Sequence, residues 1–163
     1  MRLFLAQTAT LFDYTGIRDA FAPCIEGRWR PEASLHATLL FLGDRFLPEQ
    51  VIETVRGCDL SLSNAYIKGI DRFAHNRILY AESDHPTLVE GHHLLSHAFA
   101  MTPHRRYIPH VTLMRYKKID IGCFEREKMN TEAVIAGKLE GTLKLMRSTL
   151  TPSGAVYDTL HQF

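Results

Sequence analysis

Three observations predict an α+β fold: short apolar runs of strand length, stretches with helical spacing set between them, and a four-residue pattern that occurs twice inside strand-like runs. At 163 residues the chain suits a single domain with one substantial core. No low-complexity linker or shift in composition divides it, so residues 1–163 are read as one domain.

Residues 2–7, RLFLAQ, are rich in apolar side chains and suit an opening strand. Gln7 and Thr8 interrupt the apolar stretch, which is therefore read as a strand and not as a signal peptide or membrane span. A short helix is expected from Thr15, with Ile17, Ala20 and Phe21 on one face and Pro23 ending it. Residues 35–43, LHATLLFLG, form a strand whose polar members His36 and Thr38 stand two apart and so share a face. Pro48 opens a second helical stretch with Val51, Ile52 and Val55 on its apolar side and Gly57 as its stop. Residues 60–70 alternate like a strand and residues 77–82 form another, together a hairpin. A further helix is expected over 86–101, turning Leu88, Leu94, Leu95, Ala98 and Phe99 inward. Residues 107–117 are the next strand. Strands at 133–136, 142–149 and 155–160 complete the chain, the last two joined by a turn at Pro152-Ser153-Gly154.

Composition bounds the function. Hydrophobic residues at 45% and charged ones at 23% are ordinary for a soluble globular protein. A protein that wraps long nucleic acid is more basic than this chain's net +1, so any anion site is expected to be local. Cys24, Cys58 and Cys123 are odd in number and widely spaced, with no CxxC pair. Neither a zinc knuckle nor a disulfide framework is expected, and the thiols are read as reduced, in a cytoplasmic protein. No phosphate-binding GxxxxGK[ST] or GxGxxG stands where a nucleotide-binding fold would place it, which argues against ATP-dependent ligation or kinase chemistry.

The repeated pattern carries the chemistry. His36-Ala37-Thr38-Leu39 returns 74 residues later (110 − 36) as His110-Val111-Thr112-Leu113. In each copy the histidine and threonine project from one strand face, so two similar lobes would bring both pairs to a shared cleft. A lone His-x-Thr in a strand is ordinarily structural, and four letters can recur by chance. The alternative is acid–base work. Opening a cyclic phosphodiester needs a base for the attacking hydroxyl and an acid for the leaving ribose oxygen, and histidine can do either near neutral pH. The threonine hydroxyls can donate to phosphate oxygens, and Arg115 can add a bidentate cation. This arrangement calls for no metal and no cofactor.

HATLLFLG at 36–43 and PHVTLMR at 109–115 resemble the two signature motifs of the two-histidine phosphoesterases. The similarity is to the bacterial and archaeal branch known for 2'-5' RNA ligase and RNA 2',3'-cyclic phosphodiesterase activity. RLFLA at 2–6, Arg28-Trp29 before the first motif, and LKLMRSTLTPSGAVY at 143–157 are similar to flanking segments of that branch. The resemblance implies two pseudo-symmetric lobes of antiparallel sheet with flanking helices around a central cleft. It implies His36 and His110 as catalytic residues, with Thr38, Thr112 and Arg115 binding the substrate. It further implies a monomer that hydrolyses the cyclic phosphate at RNA ends, or on small nucleotides, to a 2'-phosphate. With an RNA 5'-hydroxyl as nucleophile the same site would ligate 2'-5' without ATP. On the family picture His36 is the acid and His110 the base, an assignment the residues themselves leave open. A non-catalytic nucleotide or RNA-end binding module on the same fold is the competing reading.

Other polar and aromatic residues have plainer expectations. His93 and His97 have a spacing that can hold a metal, but no third ligand is evident and an exposed helix face is expected. His75, His85 and His104 fall in loops. Arg105 and Arg106 are expected to be a solvated pair, with a place beside the cleft as the alternative. Trp29, Phe41 and Tyr107 are candidates to stack on a base, Phe41 being expected in the core.

Overall fold

The computed structural model describes residues 1–163 apart from Asp84 and Ser153. Its elements are β1 (Arg2–Leu11), α1 (Tyr14–Phe21), β2 (Ile25–Trp29), β3 (His36–Gly43), α2 (Pro48–Arg56), β4 (Ala65–Phe73), β5 (Ile78–Glu82), α3 (Pro86–Ala98), β6 (His110–Ile119), α4 (Ile121–Thr131), β7 (Ile135–Thr151) and β8 (Gly154–Gln162). All strand pairings are antiparallel. They close into a ring, β1–β3–β6–β5–β4–β7 and back to β1, with β2 added beside β6 and β8 beside β7.

The ring has a pseudo-twofold arrangement. In the first half Phe4, Leu5, Ala6, Gln7 and Thr8 pair with Phe41, Leu40, Thr38, Ala37 and His36. In the second half Ile78, Leu79, Tyr80, Ala81 and Glu82 pair with Arg115, Met114, Thr112, Val111 and His110. Each member of the second set lies 74 positions after its counterpart, and the bulge in β3 recurs in β6. The internal repeat is thus a repeat of backbone register and not only of four letters. One lobe contains β1, β3, β8 and most of β7, covered by α2 and α3; the other contains β2, β4, β5 and β6, covered by α4 and α1. The α+β, two-lobed architecture expected from the sequence is present.

Helix ends are set by local chemistry. Asp13 caps α1 by accepting from the Gly16 N–H at 2.8 Å, and Asp120 caps α4 by accepting from the Cys123 N–H at 2.9 Å. The Gln50 side chain reaches back to the Leu47 N–H at 2.9 Å, and Pro48 starts α2 as expected. Phe21 and Phe124, both fully buried, meet ring to ring at 5.8 Å and lock α1 to α4. Each such side chain contributes about 1.5–3 kcal/mol by leaving water.

Several elements differ from the sequence expectation. The strand expected at 60–70 begins only at Ala65; Leu60 and Leu62 instead pack from an irregular segment against Gly91 on α3. The strand expected from residue 107 begins at His110. The strands expected at 133–136 and 142–149 are one, β7, which passes from the second lobe into the first. Gly137 lies where β7 threads between Leu11 and Ile67, and a Cβ there would collide with the Thr10 carbonyl. Helix α4 and strand β2 had no sequence signal strong enough to assign them: α4 buries only Phe124, and β2 is a five-residue strand. The turn expected at Pro152-Ser153-Gly154 includes Ser153, which lies outside the described residues.

The cysteine expectation is corrected. Cys24 and Cys123 form a disulfide across a sequence separation of 99 residues, joining the segment between α1 and β2 to the first turn of α4, and only Cys58 is free. Spacing could not reveal this, because α1 and α4 become neighbours only when both pack on the second lobe. A bridge across so long a loop restricts the unfolded chain strongly. Reduction, or Cys123→Ser, is therefore expected to lower the unfolding free energy by about 2–4 kcal/mol. Urea denaturation with and without a phosphine reductant checks it; coincident curves in an alkylation-verified oxidised sample would contradict it.

Candidate active site

β3 and β6 meet through one backbone pair, Ala37 with Val111, both 0% exposed. Directly opposed residues of an antiparallel pair point to the same face, here the core. The residues flanking them, His36, Thr38, His110 and Thr112, therefore turn together to the other face. The register sets His36 beside Thr112 and Thr38 beside His110. The histidines are diagonal neighbours, roughly 7–8 Å apart across the strands. All four side chains are half-buried in a cleft between the lobes.

Both histidines are held identically. His36 Nδ1 lies 2.7 Å from the Ser34 carbonyl, and His110 Nδ1 lies 2.7 Å from the Ile108 carbonyl. A carbonyl only accepts, so Nδ1 carries the hydrogen in each ring and Nε2 is left for whatever enters the cleft. Aromatic rings fix the imidazoles further. Phe4 and Tyr157 stand 5.1 and 4.8 Å from the His36 ring, and Phe73 and Tyr80 stand 5.0 and 5.5 Å from the His110 ring. Burial pushes both histidines below their ordinary pKa, and the backbone carbonyls partly offset this. At His36 the Arg30 guanidinium and His110 push the same way.

The bulge in β6 decides where Arg115 points. Leu113 and Met114 are both buried, so the alternation slips by one residue there, and Arg115 emerges opposite Ile78, on the face of Thr112 and Tyr80. Strand β2 pairs Arg28 with Arg115, which puts Arg28 on the same face, with Arg30 two residues on. The Arg30 guanidinium sits over the Tyr157 ring at 5.6 Å. Lys144 also belongs to the cleft face, since it pairs with Ala6, the partner of Thr38; its Nζ donates to Thr8 Oγ1 at 2.6 Å. Sequence reasoning missed Arg30, Lys144 and Tyr157. Only the strand pairings bring them to the cleft.

Behind the site, the gap between the diverging ends of β3 and β6 is filled by a polar wedge. The Tyr107 hydroxyl donates to the Thr38 carbonyl at 2.9 Å. Its ring stacks on His92 at 4.1 Å, and His92 Nδ1 donates to the Leu39 carbonyl at 2.6 Å while Nε2 accepts from the His104 N–H at 3.1 Å. His92, not singled out in the sequence, is buried, whereas His93 and His97 are exposed. On α3, Leu88, Leu95 and Phe99 are buried and Leu94 half-buried, but Ala98 is exposed; His92 and Ser96 fill the inward positions between them. Among the described residues no group of three or more His, Cys, Asp or Glu is arranged to hold a metal, and no helix is long and apolar enough to cross a membrane. Arg105 and Arg106 are exposed in the loop before Tyr107. Phe41, expected in the core, is 47% exposed on the cleft face with Arg2 over its ring at 5.4 Å, because the bulge in β3 re-aims it as its twin re-aims Arg115.

No model of a known protein family matches the chain. The RNA 2',3'-cyclic phosphodiesterase of Methanocaldococcus jannaschii is 28% identical over 140 residues, covering 80% of each chain. Among solved structures, TT0787 of Thermus thermophilus aligns over 100% of this chain and 97% of its own at 24% identity, with a TM-score of 0.68. LigT of E. coli, in its apo form, aligns over 99% and 95% at 18% identity, with a TM-score of 0.76, and has also been solved with 3'-AMP. With its bilobal sheet, the chain shares the fold of TT0787 and LigT, and it is similar in sequence to the archaeal RNA 2',3'-cyclic phosphodiesterase.

The packing of these histidines has two measurable consequences. His36, His92 and His110 are all held below the ordinary value near 6.5 by burial, so the unfolded chain takes up protons first as the pH falls. Their contribution to stability is complete above about pH 6.5 and is lost progressively below it. The unfolding free energy is expected to fall between pH 7.5 and pH 5, and a flat profile in urea denaturation would contradict the burial. Tyr107→Phe removes the hydroxyl from the Thr38 carbonyl and is expected to cost about 1 kcal/mol; an unshifted denaturation midpoint would show that the wedge does not brace β3.

Proposed function

We propose that the protein is a metal-independent phosphodiesterase that opens the 2',3'-cyclic phosphate at RNA ends, with His36 and His110 as its acid–base pair. The observation that carries this reading is the matched restraint of two histidines, Nδ1 on a carbonyl and Nε2 toward one cleft. One histidine, neutral, takes a proton from water as the water oxygen bonds to phosphorus. The P–O3' bond breaks, and the other, protonated histidine gives its Nε2 proton to O3'. A 2'-phosphate and a 3'-hydroxyl remain. Each proton transfer is worth roughly 10²–10⁴-fold in rate.

Thr38 and Thr112, one beside each histidine, donate to the non-bridging oxygens, and Arg115 supplies a cation from the same face. With His36 as acid and His110 as base, Arg30 opposes the proton on His36, and the negative charge of a bound phosphate offsets it. An RNA 5'-hydroxyl in place of water gives 2'-5' ligation by the same transfers. The nucleotide seen in LigT and the activity of the archaeal relative support a nucleotide phosphate as the group bound.

The test uses RNA with a terminal 2',3'-cyclic phosphate in the presence of EDTA. The expected product is the 2'-phosphate, and His36→Ala or His110→Ala is expected to lower kcat by about 10²–10⁴-fold. Undiminished turnover in either variant refutes the mechanism. Tight nucleotide binding without turnover by the unaltered protein would make it a binding module.

A further inference from the structure

A second concavity adjoins the histidine cleft. It has a volume of about 790 Å³, within the roughly 300–1,000 Å³ range of whole-ligand pockets. One wall is β2 and β6 with the turn before β5; the other is Leu150 near the end of β7 with Gly154, Ala155 and Val156 at the start of β8. Five cations line it, Arg28, Arg30, Arg77, Arg115 and Lys117, and no carboxylate does among the described lining residues. In a chain of net charge +1 this is a strong local concentration. None of the five takes part in the ion pairs found among the described residues, which occupy Lys118, Lys128, Lys144 and Arg147 instead.

The geometry shows a built surface. The register puts Arg28 opposite Arg115 on one face; Arg30 follows just past the end of β2, and Lys117 lies at the bulge between Tyr116 and Lys118, where all four line the groove. Arg77 holds a left-handed backbone, φ 56°, a conformation that glycine or asparagine would adopt at lower cost, and its carbonyl is tied to the Tyr116 N–H at 2.9 Å. Across the groove Gly154, at φ 117°, lies so near the Arg28 guanidinium that a Cβ would be 3.3 Å from it. The exposed Leu150 and Val156 add apolar surface beside the charges. Arg30 joins the groove to the catalytic cleft through Tyr157, whose ring faces His36.

We infer that this groove holds the single strand running 5' from the cyclic phosphate, its cations on upstream phosphodiesters and its apolar surface against a base. The inference rests on the proposed reaction and narrows its substrate to an oligoribonucleotide end, in preference to a cyclic mononucleotide. A cation row with interleaved apolar surface is what sequence-tolerant single-strand binding requires. Arg30, which lines the groove and lies over the Tyr157 ring beside His36, favours the same strand over an unrelated acidic partner.

Turnover of an oligoribonucleotide with a 2',3'-cyclic end is compared with that of the cyclic mononucleotide, for the unaltered protein and for Arg77→Glu and Lys117→Glu. The ratio of kcat/KM for oligomer over mononucleotide is expected to fall about tenfold in each variant. Fluorescence anisotropy of the unaltered protein with a 3'-phosphorylated oligoribonucleotide should weaken with salt, at a slope of roughly 0.7 in log–log terms per phosphate held. The slope should shrink in the variants. Unchanged ratios, or binding without salt dependence, overturn the groove while leaving the reaction intact. If neither substrate turns over, the proposed reaction fails, and the anisotropy alone decides the groove. Far-ultraviolet circular dichroism of the variants identifies any loss caused by misfolding; Arg77→Gly, which relieves the backbone, then serves as the second variant.

Discussion

The lobes are joined at the site by the contact between Ala37 and Val111. Two small apolar side chains face the core there, and their burial leaves the neighbouring residues only one direction to point. A slip of one residue in either strand would send His36 and Thr38, or His110 and Thr112, into the hydrophobic interior, where unpaired polar groups cost several kcal/mol. The site is thus a consequence of core packing. The side chains that would do the chemistry are aimed by residues that take no part in it.

That constraint is applied twice, and the repetition explains the quality of the arrangement. The same bulge, the same carbonyl acceptor two residues before the histidine, and the same pairing recur on each side of the ring. Equivalent backbones give equivalent ring orientations without any side chain having to match. The aromatic neighbours in fact do not match: Phe4 and Tyr157 on one side, Phe73 and Tyr80 on the other. Rigid strands position both histidines, and packing rings limit their rotation, so little reorganisation is needed when an anion arrives.

Much of this was legible in the sequence, and the reasons for the failures are physical. His36, Thr38, His110 and Thr112 announced themselves because strand periodicity makes i and i+2 neighbours on a face. Arg115 lies five residues after His110, a spacing that simple alternation sends to the opposite side; the bulge brings it back, and its twin brings Phe41 out of the expected core. Helix α4 was invisible because it is largely charged and buries one side chain against its lobe. The Cys24–Cys123 bridge, His92 and Lys144 depend on contacts between segments far apart in the chain, which no local pattern encodes.

The departures from symmetry carry more functional information than the symmetry does. At the two positions related by the repeat, one lobe presents Arg115 and the other Phe41. Strand β2 extends only the Arg115 side, adding Arg28 and, just past its end, Arg30, while β8 extends the other and brings Tyr157 beside His36. A symmetric cleft would accept a phosphodiester in either sense. This one puts Arg28, Arg30 and Arg115 on one flank and Phe41 on the other, so its two directions are not equivalent. Direction matters for a reaction in which two histidines with identical backbone restraints must take opposite parts. Arg30, which stands nearer one of them, makes their protonation unequal, and the same residue opens onto the basic groove. The basic flank and the unequal surroundings of the two histidines thus trace to one asymmetry, introduced by β2 and the residue that follows it, outside the repeated ring.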